Sequence, residues 1–200
     1  MKKITEILSF VLVVLFLIFI FLMTGCKKDQ TIDALPPLTF EGKNTIGCKI
    51  NGLKWVPKGI ISGSVVLNAT EGGYWKRFPD PTKHVRIKTN SPDYNLDLYI
   101  RNYLDTGYLK PGIYHLNKNT QTLYGYGEIH SYGYIEINSR NIFSSNKEYI
   151  TDSLHTGWVQ VLKSDSINKI ISGRFEFDAY NSSDGKIYKI TEGRFDYTNH

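Results

Sequence analysis

Polar and apolar residues alternate along much of the chain beyond residue 44. Across 94–103, Tyr94, Leu96, Leu98 and Ile100 fall on one face and Asn95, Asp97, Tyr99 and Arg101 on the other. That period of two marks a strand with one wet side. Residues 170–179 repeat it, with Ile171, Phe175, Phe177 and Ala179 set against Ser172, Arg174, Glu176 and Asp178. Val85 and Ile87 alternate with Arg86 and Lys88, and Phe195 and Tyr197 with Arg194 and Asp196. Asn51-Gly52 is the dipeptide that best suits a two-residue hairpin, and it separates apolar stretches at 45–51 and 53–56. Residues 60–70, 113–116, 123–130, 132–138, 158–162, 186–191 and 193–198 complete the predicted strands. Gly72-Gly73 and Pro79-Asp80-Pro81 predict a loop carrying Trp75 and Phe78. No stretch of a dozen residues beyond Cys26 carries a helical stripe. About ten short strands at this spacing predict one antiparallel all-β domain over 44–200, a β-sandwich or a flattened β-barrel.

The first residues depart from this pattern. Lys2 and Lys3 precede a run at 7–23 that is apolar except for Ser9, as in a signal peptide. The run ends in Met23-Thr24-Gly25-Cys26, which resembles the bacterial lipobox, with Met23 where that pattern prefers leucine. Residues 1–25 are therefore expected to be a lipoprotein signal peptide, with Cys26 the lipidated residue. Pro36-Pro37 and Gly42 mark 26–43 as a flexible tether. The expected partner of this end is the membrane, reached through an N-terminal lipid anchor. Each buried methylene contributes about 0.8 kcal/mol, so several acyl chains anchor stably where one does not. Residue 27 is Lys rather than Asp, so the inner-membrane retention signal is missing. The expected location is the outer membrane, on its periplasmic face or at the cell surface.

Composition narrows the function. The net charge is only +5 over 200 residues, and Lys2, Lys3 and Glu6 leave with the signal peptide. Short basic stretches at 75–78 and 84–88 are no nucleic-acid footprint on that background, and no nucleic-acid partner is expected. Two cysteines exclude a disulfide-stapled mini-protein. Cys48, in a strand context, reads as a small buried hydrophobe.

Candidate chemistry is sparse. His84, His115, His130, His155 and His200 share no metal-ligand spacing. Glu128 and His130 would share one strand face, which reads as a solvated polar face. There is no nucleophile elbow and no phosphate-binding glycine loop, so no catalytic residue, metal or cofactor is assigned. The most distinctive cluster is Tyr124, Tyr126, Tyr132 and Tyr134, interleaved with Gly125, Gly127 and Gly133. Aromatic faces with hydroxyl handles suit a glycan or peptide, and glycine on the other face lets something approach the backbone. Tyrosines packed over a sheet give the same pattern. The expected function is a non-enzymatic binding or interaction module, with a glycan or an envelope protein as partner. The alternative is a hydrolase or lipocalin-like carrier acting on an envelope glycan or a small apolar ligand.

Three stretches carry a resemblance. Glu41-Gly42-Lys43-Asn44-Thr45-Ile46-Gly47-Cys48 with Asn51-Gly52 and Trp55-Val56-Pro57-Lys58-Gly59 resembles the start of a Bacteroidota lipoprotein family of unknown function. Ile171-Ser172-Gly173-Arg174-Phe175-Glu176-Phe177 and Thr191-Glu192-Gly193-Arg194-Phe195-Asp196 resemble its end, with Arg174 in place of the family's threonine. The resemblance implies a lipid-anchored β-rich envelope domain and no activity. Asp152-Ser153-Leu154 and Asp165-Ser166-Ile167 resemble the O-glycosylation pattern of that lineage's envelope proteins, which implies glycans on Ser153 and Ser166.

Overall fold

Asn51 and Gly52 take φ angles of 50° and 82°, the left-handed pair that a tight hairpin needs. They fold β1 (Thr45–Ile50) back onto β2 (Leu53–Trp55), as the sequence predicts. The structure is a computed structural model that describes residues 35–62, 65–76, 83–101, 109–117, 130–139 and 145–198. The chain divides into a unit at Met1–Asp33, outside the described residues, and a second at Ala34–His200. Residues 1–25, expected from the sequence to be a signal peptide, and Cys26 lie in the first.

All regular elements described in the second unit are strands. A small hairpin joins β3 (Ile60–Ser62) to β4 (Val65–Leu67). The main sheet has eleven strands, all antiparallel to their neighbours. One half runs through β5 (Thr70–Lys76), β6 (Lys83–Thr89), β7 (Tyr94–Arg101), β9 (Tyr132–Ile137) and β10 (Lys147–Ile150). The other holds β1, β2, β8 (Gly112–Leu116), β11 (Gly157–Asp165), β12 (Ile170–Asn181) and β13 (Lys186–Thr198).

β12 is the junction. Along one edge it pairs with β13 from Ile170 to Asn181. Along the other it pairs with β11 as far as Phe177 and then meets β10 at Tyr180. A register shift between Phe175 and Phe177 marks a bulge before that change of partner, the usual device for bending a strand. Phe177 lies so close over Gly133 of β9 that a Cβ there would sit 2.8 Å from the ring. The Tyr197 hydroxyl on β13 donates to the Gly72 carbonyl on β5. The two halves therefore pack face to face. Among the described residues the sheet is not closed into a barrel, and the domain is sandwich-like.

The core lies between the halves. Val85, Ile87, Leu96, Leu98, Ile100 and Ile135 face Ile46, Val159, Ile171, Phe175, Phe177 and Phe195, each at 2% exposure or less. Cys48 is buried among them, and burial pushes its thiol up, as the sequence reading expects. Phe195 and Tyr197 are buried too.

Several features differ from expectation. Residues 60–70, read as one strand, form the β3–β4 hairpin and the first residue of β5. Trp75, placed in a loop by the sequence pattern, belongs to β5 and pairs with His84 in register. β10 is not among the predicted strands. Ser172, Asp97, Tyr99 and Asp196, read as a wet side, are all buried. Finally, residues 35–43, read as the end of a flexible tether, are bound to the body. Asp196 accepts from the Thr39 hydroxyl and from the backbone N–H groups of Glu41, Gly42 and Lys43. Lys163 and Arg194 reach the carbonyls of Phe40 and Pro36. A proline-rich segment without periodicity can still dock when its polar groups find partners, and here one carboxylate supplies most of them.

Candidate functional site

The outer face of β6, β7, β9 and β10 brings together residues that lie far apart in sequence. Only four residues separate β6 from β7, so they pair as a hairpin, with Arg86 opposite Tyr99 and Lys88 opposite Asp97. β9 lies on the other side of β7, with Tyr132 opposite Tyr99, Tyr134 opposite Asp97 and Glu136 opposite Asn95. Glu148 of β10 faces Glu136. Side chains two apart share a face, so these positions form three cross-strand rows.

The first row is aromatic. His84 stacks on Tyr99 with ring centroids 4.6 Å apart, and Tyr99 stacks on Tyr132 at 5.0 Å with planes 2° apart. The second row centres on Asp97. Arg86 donates to its Oδ2 atom from Nε at 2.7 Å and from Nη2 at 2.5 Å. The Arg86 side chain is 43% exposed and that of Asp97 only 6%. Oδ1 of Asp97 is buried and has no hydrogen-bond partner among the described residues. Burial outweighs the nearby guanidinium and pushes the Asp97 carboxyl up, while the hydrogen bond to Asp97 pushes Arg86 up. Tyr134, across the strand, hydrogen-bonds Glu148; burial, then the Glu136 and Glu148 charges, push its hydroxyl up. In the third row Glu136 accepts from Asn95 at 3.0 Å and from Asn146 at 2.6 Å.

The structure thus places Tyr132 and Tyr134 together, outward and half-buried. Tyr124 and Tyr126 lie outside the described residues, as do Glu128 and His200. Gly133, expected to admit a ligand to the backbone, instead admits the Phe177 ring from the core side. Sequence reading does not single out Arg86, Asp97 or Tyr99, and takes His84 only as one of five histidines without ligand spacing. The signal for them was present: two alternating strands joined by four residues must pair, and that pairing sets Lys88 and Arg86 beside Asp97.

A second aromatic run lies at one end of the sandwich. Trp55, Tyr94, Tyr188 and Tyr149 follow one another at centroid distances of 6.4, 6.4 and 4.6 Å. Its polar ends are matched, since Tyr149 donates to Asp184 at 2.8 Å and Trp55 to Asp93 at 3.4 Å. This run reads as the polar-capped edge of the core.

Ser153 and Ser166 are both exposed and occupy turns of the same design. Oδ1 of Asp152 accepts from the N–H groups of Leu154 and His155 at 2.8 and 2.6 Å, and Oδ1 of Asp165 from those of Ile167 and Asn168, both at 3.0 Å. Each aspartate closes a turn on the chain ahead of it. Leu154 and Ile167 are left 85% and 88% exposed. Among the described residues no three His, Cys, Asp or Glu side chains converge as a metal cage.

A family model for a domain of unknown function, DUF6252, matches residues 83–197, more than half of the chain. The chain belongs to the DUF6252 family. The match opens at the first residue of β6 and ends in β13. The DUF6252 region therefore contains every residue of the polar and aromatic face, together with the two C-terminal Gly-Arg-Phe strands. It does not include 41–59, the start of the lipoprotein resemblance. No curated protein and no solved structure matches the chain.

Proposed function

We propose that this DUF6252 protein is a lipid-anchored envelope protein of the Bacteroidota type and a non-enzymatic binding module. Its ligand lies on the outer face of β6, β7 and β9. The observation that carries the reading is the character of that face. A side that alternation assigns to water holds a three-ring stack and an ion pair, Arg86–Asp97, whose carboxylate is buried. Exposed polar strands do not need stacked rings or buried charges to fold, whereas a recognition surface uses both.

Anchoring rests on the lipobox-like Met23-Thr24-Gly25-Cys26 and the apolar run before it. With residues 35–43 docked on the domain, the tether from Cys26 shortens to 27–34. The outer membrane, on its periplasmic face or at the cell surface, is the location that fits Lys27. O-glycans on Ser153 and Ser166 belong to the same reading, and the exposure of both turns leaves room for them.

The test uses the full-length protein in detergent. Tyr132→Ala and Tyr134→Ala should each weaken retention on peptidoglycan or outer-membrane vesicles at least several-fold. Their thermal midpoints should stay within a few degrees of wild type. Equal retention by both variants would end the reading of this face, and loss of stability without loss of retention would make the tyrosines packing residues. Cys26→Ala should abolish fatty-acid labelling; labelling that persists would remove the anchor.

A further inference from the structure

Asp97 poses a problem that its own surroundings do not solve. Arg86 points two of its N–H groups, on Nε and Nη2, at one carboxylate oxygen, Oδ2. Oδ1 is shut from water and receives no donor among the described residues. A buried acceptor without a donor carries its whole desolvation penalty, and a charged one more so. Native proteins keep few such atoms, and each calls for a reason.

The neighbours say what kind of group is missing. On one side are the cations of β6, with Lys88 directly across from Asp97 and Arg86 on the diagonal. On the other are Tyr134 directly across, Tyr132 on the diagonal, and beyond them the carboxylates Glu136 and Glu148. An anionic ligand would meet three carboxylates, and a cationic one would meet Arg86 and Lys88. A neutral molecule rich in hydroxyls suits both halves, because a hydroxyl donates to one neighbour and accepts from another. The half-buried ring of Tyr132 offers an apolar surface beside them, held upright by its stack on Tyr99. A pyranose has this pairing of features, with equatorial hydroxyls at its rim and a C–H face that packs on an aromatic ring.

We propose that this face binds a neutral saccharide, with Asp97 Oδ1 accepting a hydrogen bond from one sugar hydroxyl, Arg86 donating to a neighbouring one, and Tyr132 packing against the ring. This rests on the reading of the face as a binding surface and adds to it the ligand class and the residue that selects it. Arg86 is the exposed member of the pair, so it is the arm that moves to admit the sugar. Recognition is selective because a deoxy sugar leaves Oδ1 unmatched, and losing a donor to a buried acceptor is a strong penalty.

The experiment is an array of neutral oligosaccharides probed with the full-length protein in detergent, followed by titration of the best binder. Wild type should be retained on at least one neutral sugar. Asp97→Asn, which keeps the shape of the side chain, should weaken that binding at least tenfold, and the matching deoxy sugar should bind wild type as weakly. Equal binding by Asp97→Asn, or no preference over the deoxy sugar, would overturn the proposal. Should Asp97→Asn fail to fold, the carboxyl carbon resonance of Asp97 in labelled wild type is the second measurement. It should shift when the retained sugar is added, and a resonance that stays put would overturn the proposal equally. An array blank for wild type overturns the saccharide. If retention on envelope material still depends on Tyr132, the binding face survives that result. If it does not, both fall.

Discussion

Asp97 and Asp196 both lie within strands and are exposed by 4% and 1%, yet they are opposites. Asp196 is surrounded by donors: the hydroxyls of Ser172 and Thr39, and the N–H groups of Glu41, Gly42 and Lys43. Burial alone would push its carboxyl up; the hydrogen bonds from Ser172, Thr39 and the backbone hold it below the ordinary value instead. Among the described residues Asp97 has one hydrogen-bond partner, Arg86, on one oxygen, and burial wins. The difference separates two uses of a buried charge. Asp196 is structural, a clasp that holds residues 35–43 against β13. Asp97 is left half-satisfied, which weakens the fold locally and leaves chemistry free for a ligand. Burial and residue type do not tell the two apart; only the count of donors does.

The largest effect expected is at the clasp. Asp196→Ala would orphan several donors at once, and breaking a buried charged cluster by removing one member costs about 3–5 kcal/mol. Urea unfolding should show that loss, and residues 35–43 should exchange amide hydrogens far faster than in wild type. Unchanged exchange there would mean that the segment docks without Asp196. A smaller effect is expected beneath the face. Gly133→Ala would push a methyl into the Phe177 ring and should lower stability by about 1–3 kcal/mol, with no direct contact to a ligand on the other side. Such a variant that keeps its stability but loses retention would blur the line between the core side and the binding side.

Acid separates the two aspartates by sign. A carboxyl held down in the folded state stabilises above the ordinary aspartate value of 3.8, and that stability is lost as pH falls through its folded value. A carboxyl pushed up does the reverse: its burial penalty is present at neutral pH and disappears as it takes a proton. Thermal midpoints followed from about pH 6 down to about pH 2 should therefore fall less steeply in Asp196→Asn than in wild type, chiefly below 3.8, and more steeply in Asp97→Asn. Shifts of the same sign in both variants would contradict the contrast.

Much of this architecture was legible in the chain. The alternation in β7, β12 and β13 placed their apolar residues correctly, and Asn51-Gly52 gave the first hairpin. Tyr132 and Tyr134 were rightly put on one face. What alternation could not show is what covers the other face. It assigned Asp97, Tyr99, Ser172 and Asp196 to water because pattern sees a strand's own period and not its neighbours. β10 escaped because Lys147-Glu148-Tyr149-Ile150 has one buried side chain, Tyr149. The docking of 35–43 escaped because the acceptor of its donors lies more than 150 residues further on. The site was half legible for the same reason: its tyrosines form a local motif, while Arg86 and Asp97 become a pair only once the hairpin register is known.

The most direct test of the contrast is small in size and clear in sign. Asp97→Asn and Asp196→Asn are the same change of chemistry at two buried sites, and the full-length proteins can be compared in one set of urea unfolding curves. With no charge left to desolvate and Arg86 free to turn to solvent, Asp97→Asn should match wild type within about 1 kcal/mol or exceed it. Asp196→Asn should lose about 2 kcal/mol or more, since an amide cannot accept from so many donors. Equal losses at the two positions would contradict the account, and would make Asp97 a structural residue like its counterpart.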